Sequence, residues 1–176
     1  MPGDLKYKDL NGDGMIDESD MCEISPYGGT PGIMYGFGTT IRYKKFDIGV
    51  FFQGAAQRTI MISGIHPFGN MKKNVLQFIA DDYWTEENPN PNAAYPRLDY
   101  REEANNNRNA STYWMRNGSY LRFKNAEIGY NFKFGRVFLT GENLLTFSPF
   151  KLWDPELAWY SYPLSRTFNI GIKLNF

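Results

Sequence analysis

The stretch RTFNIGIKLNF (residues 166–176) decides the fold class of this 176-residue chain. Apolar side chains occupy every second position, and the positions between them are polar or glycine. A period of two is that of a β-strand with one apolar and one polar face. About ten residues is also the length of a strand that crosses a membrane at a tilt. We therefore predict a strand whose apolar face is formed by Phe168, Ile170, Ile172, Leu174 and Phe176.

Four further runs have the same period and predict two hairpins. The paired runs are residues 35–43 with residues 46–53, and residues 118–132 with residues 136–147. Lys44 and Lys45 lie between the first two runs, and residues 133–135 lie between the second two. In the second hairpin the apolar residues change phase after Phe123 and again towards Leu144. The change at Phe123 predicts either a β-bulge or a strand that rises beyond the membrane.

Short and long connections alternate along the chain. The hairpin turns are short, whereas residues 57–116 form a long connection and residues 148–164 an intermediate one. This asymmetry is typical of bacterial outer-membrane barrels. Apolar residues at helical spacing within the long connection predict one helix, from Asn70 to Trp84.

The predicted fold class is all-β. It is an antiparallel meander of about five strands that forms part of a large transmembrane β-barrel, with one short helix in a long extracellular loop. Five strands are too few to close a barrel, because single-chain bacterial barrels have about 8 or more. They would leave two open edges, which lipid does not tolerate. We therefore expect the chain to be part of something larger.

Composition and isolated motifs exclude several function classes. The 19 Lys and Arg residues balance the 19 Asp and Glu residues, which gives no electrostatic reason for nucleic-acid binding. Cys22 has no cysteine partner. His66 is the only histidine, and no nucleophile motif accompanies it. The sequence therefore predicts no enzyme and no catalytic residue, and it leaves the substrate-binding residues unknown.

The segment DLNGDGMIDESD (residues 9–20) has the spacing of an EF-hand calcium loop. The predicted ligands are the side chains of Asp9, Asn11, Asp13, Asp17 and Asp20, with the backbone carbonyl of Met15. Gly14 permits the sharp turn, and Ile16 would anchor the loop to a core. Asp20 stands where such loops carry a longer Glu, which predicts weaker binding of Ca²⁺ or a smaller ion. The alternative is a turn without an ion, in which the side chains accept local backbone N–H groups.

Several segments, in this order, resemble the C-terminal region of SusC/RagA-like TonB-dependent outer-membrane transporters. They are DLNGDGMID (9–17), PGIMYGFGTTIRYKKFDIGVFFQG (31–54), DYWTEENPNPNAAYPRL (82–98), NGSYLRFKNAEIGYNF (117–132), RVFLTGENLLTF (136–147) and YPLSRTFNIGIKLNF (162–176). Together they cover nearly the whole chain. The resemblance is therefore much more specific than any single motif.

The resemblance implies a fold and an activity. Such transporters are barrels of about 22 strands with an N-terminal plug, located in the cell outer membrane. They import oligosaccharides or other large nutrients such as peptides. A SusD-like surface lipoprotein acts as a lid, and the TonB complex drives import by contacting a motif near the N-terminus. The expected partners are this lipoprotein, the TonB complex, the substrate and outer-membrane lipid.

The resemblance also predicts the organisation of the chain. Residues 1–31 would form an extracellular acidic loop with the EF-hand-like metal site, and residues 32–176 the C-terminal barrel strands and loops. The signal peptide, the plug and the TonB-contacting motif have no counterpart in the sequence, so we expect that the chain alone is not transport-competent. The alternative function is a soluble, calcium-stabilised β module that binds carbohydrate through exposed loop aromatics, among them Trp84 and Trp153.

Overall fold

A computed structural model describes residues 1–62, 75–98, 107, 109–157 and 161–175. The strands are β1 (Ile33–Tyr43), β2 (Phe46–Ala56), β3 (Thr59–Met61), β4 (Met115–Asn117), β5 (Tyr120–Phe132), β6 (Gly135–Phe147) and β7 (Thr167–Leu174). One short helix, α1 (Gln77–Ala80), lies between β3 and β4, and 3₁₀ helices form at Glu18–Asp20 and Thr112–Trp114. Within the described ranges, no helix has the length and apolar character needed to span a membrane.

Five strands form one antiparallel sheet in the order β1-β2-β5-β6-β7. The hairpins β1–β2 and β5–β6 are joined by two-residue turns at Lys44–Lys45 and Lys133–Phe134. β3 and β4 form a separate two-stranded sheet, which the sequence did not predict. The predicted five-stranded antiparallel meander is confirmed. β1 and β7 are the two edges of the sheet.

The register of the sheet follows the alternation in the sequence. One branched aliphatic residue from each strand lies in a single row across the sheet: Ile41, Ile48, Ile128, Leu139 and Ile170. A slip of one residue in any strand would move its apolar side chains to the opposite face. The apolar pattern therefore specifies the pairing as well as the strands.

The predicted irregularity in the second hairpin is a bulge at Lys124. On one side of β5, Phe51 and Phe52 of β2 pair with Asn125 and Phe123, so that Lys124 is passed over. The pairing of β5 with β6 shifts at the same point. On β6, Asn143 has a positive φ of 52°. The extra residues explain why the apolar phase changes in both strands.

The predicted helix from Asn70 to Trp84 is wrong over much of its length. Residues 70–74 lie outside the described residues, and the helix observed is only Gln77–Ala80. It cannot continue to Trp84, because the backbone N–H of Trp84 donates to the carbonyl of Tyr95 at 3.0 Å. The N–H of Tyr95 in turn donates to the carbonyl of Asp82 at 3.1 Å. This non-local pairing overrides the helical spacing.

The chain divides into two compact units, Met1–Pro26 with Met61–Met115, and Tyr27–Ile60 with Arg116–Phe176. The second unit contains the five-stranded sheet. In the first, Trp114 is fully buried, and its indole N–H donates to the carbonyl of Asn107 at 2.8 Å. The buried Tyr95 stacks on Trp114. The expected division between residues 31 and 32 stays a prediction.

Candidate functional site

One face of the sheet is apolar and exposed across its whole width. The row of five aliphatic residues belongs to this apolar face, and their exposure ranges from 42% for Leu139 to 79% for Ile170. On β7, the predicted face formed by Phe168, Ile170, Ile172 and Leu174 is also exposed, while Phe176 lies outside the described residues. A contiguous apolar patch of this kind marks a surface that meets another apolar medium or partner.

Aromatic side chains border the apolar face at both ends. At the end away from the short turns, Phe52 stacks on Phe37 at 5.3 Å and on Phe123 at 4.7 Å between ring centroids. At the short-turn end, Phe46 packs against Tyr130 at 4.9 Å. Phe52 lies six positions after Phe46, which corresponds to roughly 20 Å of strand. The aliphatic band between two aromatic borders is close to the apolar belt of about 25 Å in membrane barrels.

The opposite, polar face carries an ion-paired cluster near the short turns. The guanidinium of Arg136 binds Asp47 and also donates to Glu127 at 2.5 Å. Asn131 donates to the Asp47 carboxylate at 2.7 Å, so that β2, β5 and β6 are tied together. Arg136 lies over Gly129, where an added Cβ would come within 2.4 Å of a guanidinium nitrogen. Glycine at this position therefore leaves the space that the cluster needs.

A second charged cluster lies on the polar face near the other ends of the strands. Arg122 is only 1% exposed, and it pairs with Asp154 at 2.6 Å and with Glu156 at 3.4 Å. Gln53 of β2 donates to Glu156 at 3.4 Å. These contacts hold the beginning of the β6–β7 connection against the sheet. This cluster leaves no signal in the sequence, because Asp154 is 32 positions from Arg122 and no local spacing connects the two residues.

The acidic loop of residues 9–20 is closed by hydrogen bonds to its own backbone. Asp9 accepts from the N–H groups of Gly12 at 2.6 Å and Gly14 at 2.9 Å. Asp20 accepts from the N–H groups of Leu10 at 2.7 Å and Asp17 at 3.0 Å. The bonds from Leu10 and Asp17 lower the pKa of the Asp20 carboxyl below its ordinary value, because they favour the ionised form.

The remaining predicted ligands are engaged in the same loop. Asn11 donates to Asp13 at 2.9 Å, Asp13 accepts from the N–H of Met15 at 2.8 Å, and Asp17 accepts from the N–H of Ser19 at 2.8 Å. The donor types suit a hard cation. While these carboxylates accept backbone N–H groups, no three His, Cys, Asp or Glu side chains in the described part of the chain lie close enough together to hold an ion.

The predicted anchoring role of Ile16 is wrong, because its side chain is 58% exposed. The first unit is held together near the N-terminus by another residue, Asp4. Arg97 donates to Asp4 at 2.5 Å, and the buried Asn107 donates to it at 2.9 Å. Burial raises the pKa of Asp4, but these bonds and one from the N-terminal ammonium outweigh it and lower the pKa overall. The only histidine, His66, lies outside the described residues.

The chain is similar in sequence to receptors of much greater length. It is 31% identical to the TonB-dependent receptor P3 of Formosa agariphila and 25% identical to the TonB-dependent receptor SusC of Bacteroides thetaiotaomicron, with 99% of the chain covered in each case. The matches cover 19% and 18% of these proteins, so the chain spans less than a fifth of their length. No protein-family model matches the chain.

Solved structures give the same result for the fold. The structure of the RagAB peptide importer in its open-open state is similar to this chain. The similarity covers 84% of the present chain and 17% of the RagAB chain, with a TM-score of 0.63 and 25% identity. For the closed-closed state of RagAB, the similarity covers 93% of the present chain and 20% of the RagAB chain, with a TM-score of 0.65 and 22% identity. The open sheet with its two free edges therefore has the fold of a segment of a much larger transporter.

Proposed function

Because this chain belongs to the SusC/RagA-like TonB-dependent receptors and corresponds to their C-terminal region, we propose that its sheet forms part of the wall of an outer-membrane barrel that imports large nutrients. The chain is part of a transport receptor and not an enzyme. The observation that carries the proposal is the exposed apolar face, with Ile170 and Ile172 exposed by 79% and 68%. Lipid hydrocarbon would cover this face, and the polar face would line the interior.

Import is proposed for the complete barrel. The edges β1 and β7 of the sheet carry backbone groups that need further strands as partners inside a membrane. The transported class is oligosaccharides or other large nutrients such as peptides, and RagAB is a peptide transporter. The proposed partners are a SusD-like surface lipoprotein and the TonB complex, which would act on the plug of the complete protein. The polar face offers charged groups such as Glu127 and Glu156 to the interior.

Purification of the full-length protein that carries this region tests the assignment. With an affinity tag, the protein is expected in the outer-membrane fraction, to need detergent, and to bring a surface lipoprotein with it in about equal amount. Deletion of its gene is expected to abolish growth on the imported polymer or peptide mixture, with growth on glucose as the control. Recovery as a folded, detergent-free monomer would contradict the proposal and would favour the soluble module.

We also propose that the acidic loop binds Ca²⁺ as a structural ion through Asp9, Asn11, Asp13, Met15, Asp17 and Asp20. The support is the donor spacing together with a turn that is already formed, because Gly12 and Gly14 have positive φ values of 79° and 83°. Binding would require the carboxylates to exchange some backbone N–H groups for the ion. The resemblance suggests that the loop lies on the extracellular side.

Calcium is expected to raise the melting temperature of the full-length protein, and Asp13→Ala is expected to abolish this rise. At a hundred times Kd, binding to the folded state alone stabilises it by about 2.7 kcal/mol. Glu23→Ala is the matched control, because it removes an exposed carboxylate outside the twelve-residue loop. Scanning calorimetry with Ca²⁺, Mg²⁺ and a chelator gives the measurement. Equal melting temperatures in all three conditions would show that hydrogen bonds alone close the loop.

A further inference from the structure

The short-turn end of the sheet carries three exposed lysines that have no carboxylate partner among the residues described. Lys44 and Lys45 form the β1–β2 turn, and Lys133 begins the β5–β6 turn. The carboxylates nearby in the sheet, Asp47 and Glu127, are both paired with Arg136 on the polar face. The three ammonium groups, here called the lysine rim, are therefore available to an external anion.

Contacts with neighbouring groups place the lysine rim at one end of the sheet. The ammonium of Lys44 lies 5.3 Å from the ring centroid of Tyr43, and that of Lys133 lies 5.2 Å from the ring centroid of Phe134. The backbone N–H of Asn131 donates to the carbonyl of Lys45 at 2.7 Å, and its side-chain amide donates to the same carbonyl at 3.2 Å. The two turns are therefore tied side by side at the same end of the sheet.

The surroundings of the lysine rim indicate the chemistry of its ligand. Tyr43 and Phe134 are exposed by 66% and 62%, at the end of the apolar face. Tyrosine rings such as that of Tyr43 are typical of the level where hydrocarbon meets headgroups, and lysines there reach outward to the polar layer. The anions of that layer are lipid phosphates. Resting on the proposed membrane function, we propose that the lysine rim binds the phosphate groups of anionic lipids where the apolar face ends.

Lipid titration of the full-length protein tests the proposal. The purified protein in neutral detergent is titrated with phosphatidylglycerol and separately with phosphatidylcholine, and the bound lipid is measured by native mass spectrometry. Phosphatidylglycerol is expected to bind more tightly. The triple variant Lys44→Gln, Lys45→Gln, Lys133→Gln is expected to weaken its binding by at least about 10-fold, since each lysine near an anionic surface contributes about 5-fold.

Matched variants separate the possible outcomes. Lys6→Gln, Lys8→Gln and Lys151→Gln together remove the same charge from exposed loop positions, and this variant should bind phosphatidylglycerol within about 2-fold of wild type. Replacing the three rim lysines by arginine should preserve binding. Unchanged lipid preference in the glutamine variant, or full displacement of the lipid by 10 mM inorganic phosphate, would overturn the proposal. If the protein inserts into bilayers but prefers neither lipid, only the proposed lipid binding by the lysine rim is refuted. If the protein does not insert into bilayers, the proposed membrane function is refuted.

Discussion

Leu139→Arg is expected to destabilise the folded full-length barrel by about 2–4 kcal/mol, the cost of a cation in the middle of a lipid-facing surface. Leu139 is the fourth of the five residues in the aliphatic row, between Ile128 and Ile170. It is 42% exposed in this chain, so the same change on a water-facing surface would cost no more than about 0.5 kcal/mol. The free energy of unfolding in urea, measured in lipid vesicles, distinguishes the two environments.

The neighbouring residue supplies the control. Thr140→Arg places the same side chain on the polar face of the same strand, where Thr140 pairs with Asn169 of β7. We expect this variant to fold and to lose less than about 1 kcal/mol of unfolding free energy, because the polar face of a barrel is in contact with water. If both variants were equally stable, the apolar face would not be in hydrocarbon, and the wall assignment would be lost.

Asp154→Ala is expected to destabilise the protein by about 3 kcal/mol or more, because it leaves the buried Arg122 without its closest counter-charge. The distance from the guanidinium to Asp154 is 2.6 Å, and the Arg122 side chain is only 2% exposed. Glu156 lies at 3.4 Å and offers only partial compensation. The loss should appear as a lower urea midpoint of the full-length protein and as faster proteolysis of the β6–β7 connection.

A second variant distinguishes the loss of the counter-charge from a nonspecific loss of stability. Arg122→Met with Asp154→Ala removes both charges, and it should be more stable than Asp154→Ala alone, because no unpaired charge then remains buried. Glu156→Gln should cost only about 1 kcal/mol, since that side chain is 28% exposed. A double variant that is less stable than Asp154→Ala alone would mean that Arg122 acts through packing and not through charge.

The sequence predicted the sheet because the alternation of apolar and polar residues is itself the physical cause of the pairing. The row through Ile48, Ile128 and Leu139 could be anticipated from period and turn positions alone. The bulge could also be predicted, because an extra residue necessarily shifts the apolar phase. β3 and β4, with three residues each, are too short to leave a periodic pattern. The prediction that the helix extends to Trp84 was wrong because backbone hydrogen bonding with Tyr95 outweighs the helical spacing of the apolar residues.

The charged clusters could not be predicted for a related reason. Arg97 and Asp4 are 93 positions apart, and Arg122 and Asp154 are 32 positions apart. Only the folded chain brings such groups together, and a single sequence carries no signal of the distance between them. In the acidic loop the ligand types could be identified from spacing. The spacing does not determine whether carboxylates bind an ion or backbone N–H groups, because both uses favour the same residues at the same positions.

The bulge at Lys124 divides each of the neighbouring strands into two stretches with different constraints. In the proposed barrel wall, every second residue between the short turns and the bulge has to suit the bilayer, so the membrane restricts substitutions on that face. Beyond the bulge, β5 carries Tyr120 and Arg122, which are buried beneath the β6–β7 connection. The loops that follow this buried stretch can lengthen without disturbing the proposed lipid contact. Diversification towards different nutrients is therefore expected to concentrate beyond Lys124.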